Sequence, residues 1–159
     1  MTEPSLKAAA LARRFQHIAE TRMCGLPLLH PGLTVETLGF AWQTIGPDAC
    51  SGCLGVLITP WCMNLVWLPD ADQERPAVGS TREYRIGDEC LAFASFEDEG
   101  FGHYQSCSLF SPMFDFIDAH AARDTATHVL SLLRRPPVAA TVDQGRRSLL
   151  FGRLLERRR

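Results

Sequence analysis

The run Leu54-Gly55-Val56-Leu57-Ile58 constrains this chain most. It is too short for a helix, and its branched residues suit a central strand covered by packed layers on both faces. Pro60 and Trp61 interrupt it, and Met63 to Leu68 resumes as the neighbouring strand. Leu33 to Trp42, Arg82 to Ile86, Leu91 to Phe96 and Tyr104 to Phe110 alternate or bury in the same manner. Between them, Gly46 to Gly52 reads as an exposed loop and Pro69 to Gly79 as a polar linker. Glu97 to Gly102 reads as a hairpin loop.

Two amphipathic segments bracket these strands. From Leu6 to Arg22, apolar Ala8, Leu11, Phe15, Ile18 and Ala19 recur at helical spacing, with Pro4 tolerated before or in the first turn. Ser111 followed by Pro112 is a helix-start pattern, a capping hydroxyl and then a residue with no N–H to leave unpaired. It predicts a second helix running to about Leu133, stopped by Pro136 and Pro137. Helix, consecutive strands, helix is the order of an α+β domain. The expectation is an antiparallel sheet of about five or six strands, covered on one face by the N-terminal and C-terminal helices. Residues 1–137 form that single domain, and 138–159 a flexible basic tail.

At 159 residues, 46% of them apolar and 21% charged, the chain has enough apolar surface for a packed core without metal or disulfide staples. A net charge of −2 excludes the broad basic footprint of a nucleic-acid binder. No segment approaches the ~20 apolar residues of a membrane span. Arg13-Arg14 invites comparison with an export signal, but Phe15 to Glu20 alternates where an unbroken apolar stretch is required. Cytoplasmic residence is expected, with the six cysteines as reduced thiols.

Catalytic signatures are absent: no G-x-S-x-G, no H-E-x-x-H and no phosphate-cradling glycine loop. No enzymatic role and no cofactor are expected. Cys50 and Cys53 make a lone C-x-x-C, which reads either as a pair of loop thiols or as half of a metal or redox site. His120, Asp124 and His128 share one helical stripe, but eight residues of helix span ~12 Å, too far for all three to grip one ion. Thr59-Pro60-Trp61-Cys62-Met63-Asn64 joins a strand break to a tryptophan and a methionine. That combination suits a core bulge or a protein-binding anchor equally. Phe101, Tyr104, Phe110, Met113, Phe114 and Phe116 crowd one hairpin and the expected helix start, more large side chains than one interior takes. Met113 and Phe116 are the preferred members for an exposed patch, with plain core packing as the alternative.

Gly55 to Leu65 and Tyr104 to Phe114, with Pro27-Leu28-Leu29-His30-Pro31 and Val35 to Trp42, resemble the HybE family of [NiFe]-hydrogenase assembly chaperones over nearly the whole chain. The resemblance implies an accessory protein, without catalysis of its own, that holds a hydrogenase subunit precursor or its twin-arginine signal peptide before export. Thr59, Pro60, Trp61, Met63, Asn64, Tyr104, Phe110, Ser111, Pro112, Met113 and Phe116 are the candidate partner-binding residues. Some relatives resemble fusions to a rubredoxin domain, which this chain lacks. A thiol or metal carrier using Cys50 and Cys53 is the alternative. In the tail, Arg146-Arg147-Ser148-Leu149-Leu150-Phe151 repeats the opening of a twin-arginine signal, two guanidinium groups followed by apolar residues.

Overall fold

The computed structural model describes residues 3–46 and 48–136. Helix α1 (Pro4–Glu20) is followed by strands β1 (Glu36–Ile45), β2 (Cys50–Ile58), β3 (Met63–Pro69), β4 (Thr81–Ile86), β5 (Glu89–Asp98) and β6 (Gly102–Phe110), and then by helix α2 (Ala119–Leu133). The strands form one antiparallel sheet in the order β1-β2-β3-β6-β5-β4. The segment 70–80 carries the chain from β3 to the far edge. The sheet curls until its two edges approach each other, and the Gly46 N–H donates to the Arg85 carbonyl at 3.3 Å. The α+β class and the six strands match expectation.

The helices, however, do not share a face. Side chains alternate along β2: Leu54, Val56 and Ile58 pack into a core with Ala122, Ala126, Val129 and Leu133 of α2. Cys53 and Leu57 pack the other way, with Leu11 and Phe15 of α1. The two-sided burial written into Leu54 to Ile58 is therefore the correct sign, and the expectation of one covered face is wrong. Gly55 belongs to this arrangement because the Phe40 ring occupies the place where its Cβ would stand.

α2 also begins later than Ser111-Pro112. Those residues lie in an irregular turn with a cis peptide between them, and the helix starts at Ala119. Asp118 is its cap, accepting from the Ala121 N–H at 2.9 Å. The intervening stretch folds back on itself, Phe116 N–H to Met113 carbonyl at 3.2 Å, and this bend buries Met113 and Phe116 in the α2-side core. At its far end α2 is pinned by Arg134, whose guanidinium donates to the carbonyls of Gly39 at 2.6 Å and Leu54 at 3.0 Å.

Cys50 and Cys53 lie in β2, not in a loop, and face opposite sides of the sheet, Cys50 toward the α2 core and Cys53 toward α1. Residues three apart on a strand cannot present their thiols to one ion. Burial also pushes the Cys53 thiol up, against the attraction of Lys7, which makes it a poorer nucleophile. Among the described residues no group of three or more His, Cys, Asp or Glu could hold a metal, and no helix is long and apolar enough to cross a membrane. His120 and Asp124 meet at 3.3 Å as an exposed pair on α2. Arg146, Arg147 and the segment 138–159 lie outside the described residues.

Candidate functional site

Three chain segments converge at one end of the molecule: the loop after α1, the β2–β3 turn and the stretch between β6 and α2. Thr59 builds the turn from within. Fully buried, its hydroxyl accepts from the N–H groups of Trp61 at 3.2 Å and Cys62 at 2.9 Å and donates to the Cys62 carbonyl at 3.1 Å. These bonds replace the ladder that Pro60 interrupts. The Cys62 thiol, 3.3 Å from the same hydroxyl, is pushed up by burial.

His30 joins the three segments. Its backbone N–H donates to the Pro60 carbonyl at 2.8 Å. Its Nδ1 accepts from the Gly32 N–H at 2.9 Å, which places the ring proton on Nε2, and Nε2 lies 2.7 Å from the Phe116 carbonyl. The imidazole also stacks on Phe114, centroids 6.5 Å apart. One histidine thus fixes the path of the loop after α1, the β2–β3 turn and the bend before α2.

That bend sorts its apolar side chains. Met113 is 0% exposed and Phe116 2%, the latter edge-to-face with Phe110 at 5.0 Å; Phe114 is 52% exposed and Ile117 89%. The expectation that Met113 and Phe116 face solvent is therefore reversed: they are the roots, and Phe114 and Ile117 are the surface. Two interleaved pairs at a spacing of three, Met113/Phe116 and Phe114/Ile117, were visible in the sequence. Choosing between them required knowing that the stretch bends. Leu26 and Leu28 of the loop after α1 are also exposed. The carboxylate of Asp115 stands at the surface between Phe114 and Phe116, with no ion pair among the described residues.

The remaining candidates divide between this patch and its foundations. Met63 is buried and supports the patch from below, while Ser111 and Pro112 are exposed beside it. Pro60, Trp61 and Phe110 are partly buried. Trp61 stacks with Phe15 of α1 at 6.5 Å, and Phe15 meets Tyr104 edge-on at 6.1 Å, opening a second aromatic row on the α1 side of the sheet. Tyr104 continues it to Phe96, which is 42% exposed, at 5.3 Å. Burial, with Asp98 and Cys62 nearby, pushes the Tyr104 phenol up to about 12, so it remains a neutral donor. The buried Oδ1 of Asn64 has no hydrogen-bond partner among the described residues.

This end of the molecule offers exposed apolar side chains on a fixed backbone, with an exposed carboxylate among them. Such a surface suits a polypeptide that carries apolar residues next to a cation.

Residues 6–152 match the family model described as [NiFe]-hydrogenase assembly, chaperone, HybE. The protein HoxT of Cupriavidus necator is 41% identical over 155 residues, spanning 90% of this chain and 87% of its own. The hydrogenase expression/formation protein HoxT of Azotobacter vinelandii is 44% identical over 141 residues, spanning 89% of this chain and 88% of its own. The solution structure of HybE from Escherichia coli superposes with a TM-score of 0.63, over 86% of this chain and 83% of that one, at 24% identity, and so shares the fold. The chain belongs to the HybE family of [NiFe]-hydrogenase assembly chaperones.

Proposed function

We propose that this chaperone holds the precursor of a [NiFe]-hydrogenase subunit in the cytoplasm, gripping a basic and apolar segment such as its twin-arginine signal peptide on the patch built by Phe114 and Ile117. The observation that carries this reading is the exposure of both side chains beside the carboxylate of Asp115, which has no ion pair among the described residues. A guanidinium group answers the carboxylate, and the apolar residues that follow it answer the patch. Trp61, Pro60, Ser111 and Pro112 border the contact, while Thr59, Met63, Met113 and Phe116 hold it in shape from beneath. Tyr104, Phe110 and Asn64 belong to the same end of the sheet. No catalytic step is assigned to the protein. The tail sequence Arg146-Arg147-Ser148-Leu149-Leu150-Phe151 has the pattern of such a client and competes weakly for the same patch.

Calorimetric titration with a peptide of two arginines followed by apolar residues tests the reading. Phe114→Ala and Ile117→Ala should each weaken binding by about 1–2 kcal/mol, the cost of truncating an interface anchor, while the melting temperature stays near that of the parent. Unchanged affinity in the double variant would refute the assignment of this surface.

A further inference from the structure

A second cleft, of about 260 Å³, opens at the end of the curled sheet opposite the patch, where β2 begins and β3 ends. The turn before β2, the segment 70–80 and strands β3, β4 and β6 all contribute to its lining. The strand registers decide which side chains turn into it. Gln105 of β6 stands directly opposite Trp67 of β3, and Trp67 and Tyr84 of β4 belong to the α2-side core, so all three point into the hollow of the sheet. Two contacts bring them to one place: the Tyr84 hydroxyl donates to Gln105 Oε1 at 2.9 Å, and the Trp67 and Tyr84 rings lie 6.5 Å apart.

This polar pair is incomplete. Gln105 is 1% exposed, and the bond from Tyr84 is the whole complement of its side chain among the described residues. Its amide nitrogen therefore has hydrogens to give, and the Tyr84 oxygen, its own proton committed, keeps lone pairs to receive one. Exchanging the two ends of the amide would only exchange the roles, leaving a free donor beside a free acceptor as before. Ser95, which faces Gln105 from β5, adds a buried hydroxyl that also lacks a partner. Polar groups sealed into a fold without partners mark a place where another polar group belongs. No ionised side chain accompanies them at depth, because Asp48, Glu74 and Arg82 are exposed at the mouth. A charged group seated at the Gln105 amide would lose its water without gaining a counter-charge. A neutral group that offers an acceptor and a donor side by side meets both demands, and a carboxamide is such a group.

We propose that this cleft binds a primary carboxamide, its carbonyl oxygen accepting from the Gln105 amide, its N–H donating to the Tyr84 oxygen and its short carbon chain lying against Trp67 and Pro69. The site goes beyond the reading of the client patch and does not depend on it.

The test is NMR titration of the ¹⁵N-labelled full chain with two carriers of that group: butyramide, and the tripeptide Ala-Gln-Ala closed by an acetyl group and an N-methylamide. Butyrate, methyl propyl ketone and the matching Ala-Glu-Ala peptide are the controls, similar in shape but charged or without the N–H. Saturable shifts of the Gln105 backbone amide and the Trp67 indole N–H are expected with the two amides and not with the controls. Binding of butyramide alone identifies a free small amide as the source, and binding of the glutamine peptide identifies a polypeptide side chain; either outcome supports the site. Gln105→Leu should weaken binding at least about tenfold, the scale of one hydrogen bond lost in a closed site. Tyr84→Phe, which keeps the ring packed against Trp67 and Phe93, should weaken it about threefold or more. Failure of both amides to bind, equal binding by the controls, or undiminished binding to whichever variant keeps the parent's circular dichroism would overturn the proposal.

Discussion

The same strands present two unlike faces. Toward α2, every strand contributes to one core, from Ile45 of β1 through Trp67 of β3 and Phe93 of β5 to Tyr84 and Ile86 of β4. Toward α1, the buried cluster stops at Leu11, Cys53, Leu57, Val66 and Leu68, which come from the helix, β2 and β3 alone. Beyond it the alternation continues through exposed or half-exposed Ala92, Ala94 and Phe96 of β5 and Ser106 and Ser108 of β6. An antiparallel sheet tolerates this asymmetry because its ladder is satisfied whether or not a second layer covers it. One face is committed to folding, and the other keeps part of its area in contact with solvent.

Truncation separates the two faces. Trp67→Ala removes the largest fully buried side chain of the α2-side core and should cost about 3–5 kcal/mol, read as a lower midpoint of urea unfolding. Leu11→Ala on the α1 side should cost less, about 2–3 kcal/mol, because the smaller cluster can settle around the gap. If Leu11→Ala proved the more damaging, the division of roles between the faces would be wrong.

Acid sharpens the comparison, because the α1 side is fastened to the β5–β6 hairpin by Arg14 and Asp98, 2.6 Å apart. The hydrogen bond from Arg14, helped by the N–H groups of Gly100 and Phe101, holds the Asp98 carboxyl below its usual range against the effect of burial. A carboxyl depressed in the folded state contributes stability above its unfolded value of about 3.9 and loses it as the pH falls through its lower folded value. Acid unfolding below about pH 4 should therefore be steeper in the parent than in Asp98→Asn, by circular dichroism. Parallel curves would mean that the fastening contributes nothing. The smallest effect expected is that of the tail: deleting 143–159 should tighten binding of the two-arginine peptide slightly, and unchanged or weaker affinity would remove its role as a competitor.

Strands were legible wherever a residue's own character decided its side. Leu54 to Ile58 announced two-sided burial, and the alternation in Tyr104 to Phe110 was enough to place β6. Cys50 was misread because Gly52 and the glycine and proline before it imitate a loop, whereas Gly52 leaves room for the Trp67 ring that crosses from β3. Ser111-Pro112 was misread because a capping pattern is local, while the true cap, Asp118, is chosen by the need to bury Met113 and Phe116 first. The candidate site shared that fate: the crowding of large side chains was plain from composition, but which of Phe114 and Phe116 faces outward depends on a bend held by His30, eighty-six residues away from Phe116 in sequence. Nothing in the local pattern of either segment reports that bond.

Because a single imidazole touches all three segments, the outer surface cannot be adjusted piecemeal. Pressure on the Phe114 ring is transmitted through the stacked imidazole to the Gly32 amide and, along the His30 backbone, to the carbonyl of Pro60. A change at one ring should therefore be felt at the tryptophan corner as well, the end of the molecule responding as a plate instead of as separate fingers.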